Sequence, residues 1–469
     1  MPTAISKGFI CDIDKLMKSI LKKLISAAAV IFTTVALSGC AIQYGDGLLA
    51  LPSLPAEYIE LQGEIDKVFA TGAVSAAAES GSNRQSIQLV DIDGDSETET
   101  VAFFRTAEGN YLIKAYKKNN ENYEEIGSAE AVGLTLHSIY YPTSSVTGQK
   151  CLAVCWGIDE SNNYGMTVYS FTDKGMENIL SVQYSGILVG DFYGDSLDEL
   201  CFAIKDQAGG MMSLRVYEAR ANSYELGTEV PLCSEARSIS RMTLGRYKEN
   251  DKALFLDSVA YGGGYVSDVI TFEEGSSALK NISKDRDSGS GIRTWRAVEE
   301  FCQDIDDDGI IEVPAASSMM SALYPDEKYK LSWNAYSDEG TQQKLKTFHM
   351  SSDEWYIEWP ENWDDRIVVQ TTRYSRMVKT VFFSLPDDYS IDSLPQGTEA
   401  NTLLTVYIFS GDNKEAYVKV YEAETIVQKD GLLYAFTLGS GAEGRYEVLA
   451  EDILEKFTRI ENEWTLEVY

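Results

Sequence analysis

Two short segments of the chain carry acidic side chains at the same regular spacing. Carboxylates stand at positions 1, 3, 5 and 9 of each: Asp91, Asp93, Asp95 and Glu99 in the first, and Asp304, Asp306, Asp308 and Glu312 in the second. A tight loop with alternate acids turns successive oxygens toward one point, and Ca²⁺ takes about six to eight oxygen ligands. An EF-hand would close with Glu at position 12, where these segments have Ala102 and Ala315. The spacing therefore predicts calcium loops of another kind.

A third segment keeps only part of this pattern. Asp191, Asp195 and Glu199 stand at positions 1, 5 and 9, but Tyr193 occupies position 3. Because one carboxylate is missing, the segment predicts a weaker metal site. Asp and Gly favour turns even without a ligand, so a solvated acidic turn is the alternative interpretation of all three segments.

The composition excludes several classes of function. The chain has 469 residues, with 40 Lys+Arg against 73 Asp+Glu and a net charge of −33. A surface this acidic repels phosphate, which argues against nucleic-acid binding. The two histidines, His137 and His349, provide little material for a His-rich metal site or a triad. Five cysteines beyond Cys40 match no zinc spacing, and Cys151 and Cys155 are interpreted as small buried apolar residues, with a redox pair as the alternative.

The beginning of the chain has the layout of a secretory signal. A basic patch precedes an uncharged, mostly apolar run, Leu24–Leu37. This run has 14 residues, whereas a helix that spans a bilayer needs about 20. The order of a basic patch and then a short apolar run is typical of a signal peptide.

The run is followed by Leu37-Ser38-Gly39-Cys40, which resembles the lipobox of bacterial lipoproteins. The resemblance implies that residues 1–39 are removed and that Cys40 carries the lipid. It also implies a membrane anchor and a location on the extracytoplasmic face of the bacterial cell membrane. A plain signal peptide with an incidental cysteine is the alternative. Met17 is an alternative start to Met1.

A repeat of roughly 50 residues runs through the middle of the chain. Short apolar runs begin 51, 49, 53 and 60 residues apart, at Thr100, Cys151, Leu200, Ala253 and Val313. Each is flanked by three more strand-like runs, and the one before Val313 begins at Ala297. Four strands per repeat is the pattern of a propeller blade. The sequence therefore predicts a mainly β fold, a β-propeller of about five four-stranded blades.

The acidic segments lie between the first two strands of their repeats, and their spacing resembles the calcium loops of FG-GAP/VCBS-type repeats, the units of integrin-α-like β-propellers. The resemblance covers about 265 residues. It implies a structural Ca²⁺ in each loop and no open coordination position for catalysis. The corresponding segments Pro142–Lys150 and Arg246–Lys252 lack the acid series.

The patterns divide the chain into a signal peptide (1–39), a tether (40–54), an N-terminal helix and lead-in (55–85), the propeller (86–352) and a C-terminal α+β domain (353–469). Apolar spacing predicts helices over Pro55–Ala70 and Glu447–Ile460, and the stretch Thr71–Arg84 is interpreted as a loop. A tryptophan cluster, Trp355, Trp359 and Trp363, is interpreted as core, with sugar stacking as the alternative.

The leading hypothesis is a non-enzymatic, lipid-anchored binding or interaction module at the cell envelope, with an unknown protein or glycan ligand. This interpretation rests on family analogy, since a fold does not determine a function. The alternative is a carbohydrate-active enzyme with paired carboxylates in the propeller channel. A solute-binding lipoprotein would need alternating strands and helices, which these repeats lack.

Overall fold

The strands of the repeat pair as antiparallel sheets that follow one another along the chain. The computed structural model describes residues 59–119, 122–159, 163–206, 210–220, 223–273, 276, 278–317, 326, 329–337, 340–386 and 401–460. The first element in these ranges is helix α1 (Ile59–Phe69), and residues 55–58 of the predicted helix lie outside them. No helix within the described residues has the length and apolar character needed to cross a bilayer.

Four sheets come first, each with its main strands paired in chain order. Sheet 1 contains β1 (Val74–Ser75), β2 (Ile87–Val90), β3 (Glu99–Arg105), β4 (Tyr111–Asn119) and β5 (Asn122–Ala131). Sheet 2 contains β6 (Thr135–Tyr140), β7 (Leu152–Gly157), β8 (Tyr164–Thr172) and β9 (Gly175–Tyr184). Sheet 3 contains β10 (Gly186–Gly190), β11 (Glu199–Lys205), β12 (Met212–Arg220) and β13 (Ser223–Pro231). Sheet 4 contains β14 (Ala236–Lys248), β15 (Asp251–Ala260), β16 (Tyr265–Phe272) and β17 (Leu279–Asn281).

Successive sheets pack face to face around shared cores. Val101 and Phe103 of sheet 1 belong to one core with Val154 of sheet 2, and Leu214 of sheet 3 shares another with Leu254 of sheet 4. Strands β3, β7, β11 and β15 are covered on both faces along most of their length, which explains why they read as continuous apolar runs. This arrangement confirms the mainly β class and the propeller fold, while the number of blades remains a prediction.

The fifth sheet differs from the others. It contains β18 (Val313–Ala316), β19 (Lys330–Ser337), β20 (Gly340–Met350), β21 (Trp355–Glu358) and β27 (Phe457–Arg459). The predicted boundary between residues 352 and 353 therefore falls inside this sheet. The strand predicted from Ala297 is wrong, because only an isolated bridge, between Gln303 and Glu312, forms there.

A buried ion pair explains the missing strand. Arg296 and Asp257 are fully buried, and Arg296 Nη2 donates to Asp257 Oδ1 at 2.8 Å. The same guanidinium donates from Nε to the carbonyl oxygen of Glu300 at 2.5 Å, and Asp257 Oδ2 accepts from the Cys302 amide at 3.0 Å. Backbone groups of this segment are thus satisfied by buried side chains rather than by a strand partner.

The C-terminal part is α+β. It contains β22 (Ile367–Tyr374), β23 (Met377–Ser384), β24 (Thr402–Ser410), α2 (Lys414–Val420), β25 (Glu424–Lys429), β26 (Leu432–Leu438) and α3 (Ala450–Lys456). Its sheet has the order β22-β23-β24-β26-β25. Trp355, Trp359 and Trp363 are buried in one core with Phe382 of β23, so the interpretation of the tryptophans as core is confirmed.

Two flanking predictions need correction. Val74–Ser75, which the sequence placed in a loop, pairs with β3 as an additional strand. The helix predicted over Glu447–Ile460 is confined to Ala450–Lys456, because Phe457 is buried in a strand that pairs with Ile357. Cys151 and Cys155 are buried, as the sequence predicts, and three further described cysteines are also buried and free: Cys201, Cys233 and Cys302.

Candidate functional sites

The three acidic segments fold into the same loop. Loop A is 91–99, loop B is 191–199 and loop C is 304–312, and each connects to the second strand of its repeat. Positions 4 and 6 have positive φ in all three: Gly94 (79°) and Ser96 (71°), Gly194 (76°) and Ser196 (71°), and Asp307 (57°) and Gly309 (81°). Residues with side chains adopt this conformation rarely, so its repetition shows that the three loops share one backbone path.

The first and last acids hold this path together. In loop A, Asp91 Oδ1 accepts from the Gly94 amide at 2.8 Å and Oδ2 from the Ser96 amide at 3.0 Å. Glu99, at position 9, accepts from the Ile92 amide at 2.9 Å. Two of these bonds recur in both other loops. The acid at position 1 accepts from the amide of position 6, as Asp191 and Asp304 do, and the acid at position 9 accepts from the amide of position 2, as Glu199 and Glu312 do.

In loop A, a lysine ammonium lies among the carboxylates. Single oxygens of Asp91, Asp93 and Glu99 lie within 4.8 Å of one another. Lys117 Nζ, from β4, forms an ion pair with Asp93, and lies 2.7 Å from Asp95 Oδ2 and 3.3 Å from Glu99 Oε1. Burial raises the pKa of Glu99, whereas the hydrogen bond from Lys117 lowers the pKa of Asp95. The ammonium supplies positive charge where these acids converge.

In loop C, the convergence leaves carboxylate oxygens without partners. Single oxygens of Asp304, Asp306 and Asp308 lie within 4.8 Å of one another, and Lys344 Nζ contacts only the last of them, at 2.5 Å. Asp304 Oδ1 and Glu312 Oε1 are buried and accept no hydrogen bond from the described residues. Burial, with the nearby acids Asp306 and Asp308 adding to it, raises the pKa of Glu312 to about 7. These are features that a bound cation would relieve.

Loop B is closed by hydrogen bonds. Glu199 accepts from two amides, those of Phe192 at 2.8 Å and Tyr193 at 3.1 Å. The ring of Tyr193 lies 5.3 Å from that of Phe272, so position 3 contributes to packing instead of presenting a carboxylate. No group of three converging ligands is found in loop B within the described residues.

Hydrogen bonds join the acidic loops to the acid-poor loops between them. Three backbone bonds make these links: Lys150 N to Ile92 O at 2.7 Å, Asp198 N to Thr143 O at 2.9 Å, and Ile311 N to Arg246 O at 2.8 Å. Lys252 Nζ also donates to the carbonyl oxygen of Asp191 at 2.7 Å. The loops therefore form one connected series across the five sheets, and an ion held in one loop lies next to a junction between sheets.

A separate cavity of about 660 Å³ is lined by the segment 79–84 and by residues of β6, β10 and β14, the first strands of sheets 2, 3 and 4. No residue of loops A, B or C lines it. Among the described lining residues the one carboxylate is Glu79, whose Oε2 lies 3.8 Å from His137 Nδ1. Tyr140, Tyr164 and Tyr184 contribute aromatic side chains.

Several of these side chains were not singled out by the sequence. Lys117 and Lys344 belong to strands that follow the acidic loops, and their approach depends on strand register. The lysines within the run Tyr111–Lys118 could have indicated this contact, since basic side chains in the strand after an acidic loop can neutralise its carboxylates. The predicted lipidation site, Cys40, lies outside the described residues.

No family model matches the sequence, and no curated protein matches it. Among solved structures, the chain is similar to the propeller domain of the Trilobed protease from Pyrococcus furiosus, with 10% identity over 70% of this chain and 93% of that chain and a TM-score of 0.24. It is similar to the Dos1 propeller, with 9% identity, coverage of 77% and 82%, and a TM-score of 0.26. A rhamnogalacturonan lyase of Bacillus licheniformis gives 12% identity and a TM-score of 0.28. That match covers 51% of this chain and 59% of the lyase, less than two thirds of its length. At these TM-scores, the similarities carry no argument about ligand or activity.

Proposed function

We propose that this protein is a lipid-anchored, extracytoplasmic binding module whose β-propeller is stabilised by calcium. The observation that carries the calcium part is the pair of buried, unpartnered carboxylate oxygens in loop C, on Asp304 and Glu312. Buried acids without partners are costly, and an oxygen-only ligand set is the one that Ca²⁺ prefers.

Calcium would act on the fold. In loop C the ligands would be Asp304, Asp306, Asp308 and Glu312, and in loop A they would be Asp91, Asp93, Asp95 and Glu99. A bound cation neutralises acids that otherwise repel one another and fixes a loop that contacts the next sheet. Loop B, with Asp191, Asp195 and Glu199, is the weaker candidate because Tyr193 replaces one acid.

Binding is favoured over catalysis by what lines the cavity. A glycosidase of the usual kind uses two carboxylates on either side of the scissile bond. Glu79 is the one carboxylate among the described lining residues, and the acids of loops A, B and C lie elsewhere. A carbohydrate-active enzyme is the alternative function, and the experiment described below tests it as well.

The membrane anchor rests on the resemblance of residues 37–40 to a lipobox. Two or more acyl chains give stable attachment, where one chain gives only marginal binding. A protein held in this way on the outer face of the cell membrane would present its propeller to ligands outside the cell.

The test is to express the full chain in a bacterium that processes lipoproteins and to label the cells with an alkyne fatty acid. We expect label in the membrane fraction of the wild type and none in Cys40→Ser. Equal labelling of the two forms would contradict the anchor. Elemental analysis of the full chain purified in detergent should show bound calcium, and its absence would contradict the structural metal. Hydrolysis or elimination of a glycan by this protein would contradict the non-enzymatic assignment.

A further inference from the structure

The cavity beside the segment 79–84 contains two arginines whose charge is not balanced. Arg84 and Arg241 both line it, and both are exposed. Their guanidinium groups form no hydrogen bond or ion pair within the described residues, and Arg241 approaches the ring of Phe301 at 5.9 Å. Other arginines do pair with carboxylates, as these do: Arg215, Arg220, Arg296, Arg373, Arg445 and Arg459. A guanidinium fork with free donors is suited to an anionic oxygen pair.

A histidine on the same wall is held in place by its neighbours. His137 Nε2 lies 3.3 Å from Ser80 Oγ, and Nδ1 lies 3.8 Å from Glu79 Oε2. The order Ser–His–Glu resembles a catalytic triad, but two distances argue against that role. The Ser80 hydroxyl donates to the carbonyl oxygen of His137 at 3.1 Å, and 3.8 Å is beyond hydrogen-bond range. We therefore assign these groups to binding.

Two tyrosine rings lie in a row beside this histidine. The rings of His137 and Tyr164 have centroids 4.4 Å apart, and Tyr164 and Tyr184 stack with centroids 6.1 Å apart. Ser185 and Ser240 add exposed hydroxyl groups to the lining. Aromatic surface with a few polar groups is typical of a small-molecule site, and about 660 Å³ is within the usual range of volumes.

We propose that this cavity binds an acidic saccharide, with Arg84 and Arg241 holding a carboxylate and the rings of Tyr164 and His137 packing against the sugar. The two features require different parts of one ligand, because arginine forks recognise a planar anion and aromatic faces recognise apolar C–H surface. The inference rests on the proposed function as a binding module and specifies its ligand. It does not depend on calcium in the loops, which share no lining residue with the cavity.

The experiment uses calorimetric titration of the full chain, purified in detergent, at constant calcium concentration. The probe is a tetrasaccharide of alternating glucuronate and N-acetylglucosamine, and the matched probe is its methyl ester, which has the same rings without the charge. We expect the acid to bind and the ester to bind at least about tenfold more weakly, since each charge-assisted hydrogen bond is worth about a factor of ten. Inorganic phosphate should not displace the acid at the same concentration.

The variants distinguish binding in the cavity from general electrostatic attraction between the protein and the acidic probe. Arg84→Gln and Arg241→Gln should each weaken binding of the acid about tenfold. The control is Arg237→Gln, which removes the same charge from β14 at an exposed position outside the cavity. Equal binding of acid and ester, displacement by equimolar phosphate, equal effects of all three variants, or no binding at all would each overturn the inference. Failure here with bound calcium and fatty-acid labelling intact would leave the anchor and the structural metal in place and reject the acidic saccharide alone.

Discussion

Loops A and C have the same acids at the same spacing and the same backbone path, but they differ in how their charge is balanced. In loop A, Lys117 lies within ion-pair distance of Asp93, Asp95 and Glu99. In loop C, Lys344 contacts Asp308, while Asp304 and Glu312 each retain a buried oxygen without a partner. The corresponding oxygen of loop A, Glu99 Oε1, also accepts no hydrogen bond, but the Lys117 ammonium lies 3.3 Å from it. Spacing alone therefore predicts equal metal sites, whereas the neighbouring strands make them unequal.

The difference shows two ways to stabilise one loop. An ammonium group in loop A neutralises the acids from within the chain, so this loop is less dependent on an external cation. Loop C has no equivalent group within contact of Asp304 or Glu312 among the described residues, and its stability should depend on calcium. A cation that binds loop A must first displace Lys117, which lowers its net affinity.

Removal of calcium should give the largest effect. A ligand at a hundredfold excess over its Kd stabilises the folded state by about 2.7 kcal/mol. For a protein of this size that corresponds to about 3 °C in Tm per occupied site. We expect chelation to lower the Tm by about 3 °C if loop C dominates, and magnesium to restore it poorly because of its tighter octahedral shell. Identical melting curves in differential scanning calorimetry with and without chelator would show that the loops are acidic turns.

Substitutions in the two loops should divide this response unequally. Asp304→Asn keeps an oxygen for the Gly309 amide but removes a charge, and it should abolish most of the calcium-dependent shift of about 3 °C. Asp91→Asn, the change at the same position of loop A, keeps an oxygen for the Ser96 amide and should remove less than about 1 °C. Each variant is melted in calcium and in chelator, and the difference is compared with that of the wild type. Equal losses from the two variants would contradict the inequality of the loops.

The sequence predicted the strands better than the partners of the acids. Apolar runs located β3, β7, β11, β15 and β18, because these strands are buried along most of their length. The apolar runs could not predict contacts between residues that are far apart in the sequence. The ion pair between Asp257 and Arg296, which are 39 residues apart in the sequence, replaces the strand expected after Arg296. The pairing of Phe457 with Ile357 ends the C-terminal helix earlier than expected. The position of Lys117 in loop A likewise depends on the register of β3 and β4.

Removing the ammonium from loop A should make the two loops more alike. Lys117→Met keeps the length of the side chain and removes its charge, so the acids of loop A repel one another in chelator. Partly exposed ion pairs are worth about 1 kcal/mol or less each, which predicts a fall of about 1 °C in chelator. In calcium the variant should recover this loss and show a larger calcium-dependent shift than the wild type. The control is Lys118→Met, at the exposed neighbouring position, which should change neither value. An unchanged calcium shift in Lys117→Met would show that the ammonium does not compete with the ion.

The smallest effect is expected in loop B, which is the negative control for both other loops. Asp195 is exposed, and one of its oxygens accepts from the Leu197 amide at 3.0 Å, a bond that asparagine can keep. Glu199 Oε2 accepts from two amides, and Tyr193 presents no carboxylate, so loop B offers a cation one acid fewer than loops A and C. We expect Asp195→Asn to alter the calcium-dependent shift in Tm by less than about 0.5 °C, the range of an ordinary surface substitution. A loss as large as that from Asp304→Asn would mean that loop B binds calcium despite its tyrosine. The calcium affinity of the loops would then depend on their shared backbone conformation. The number of carboxylates and the neighbouring lysine would have little influence on it.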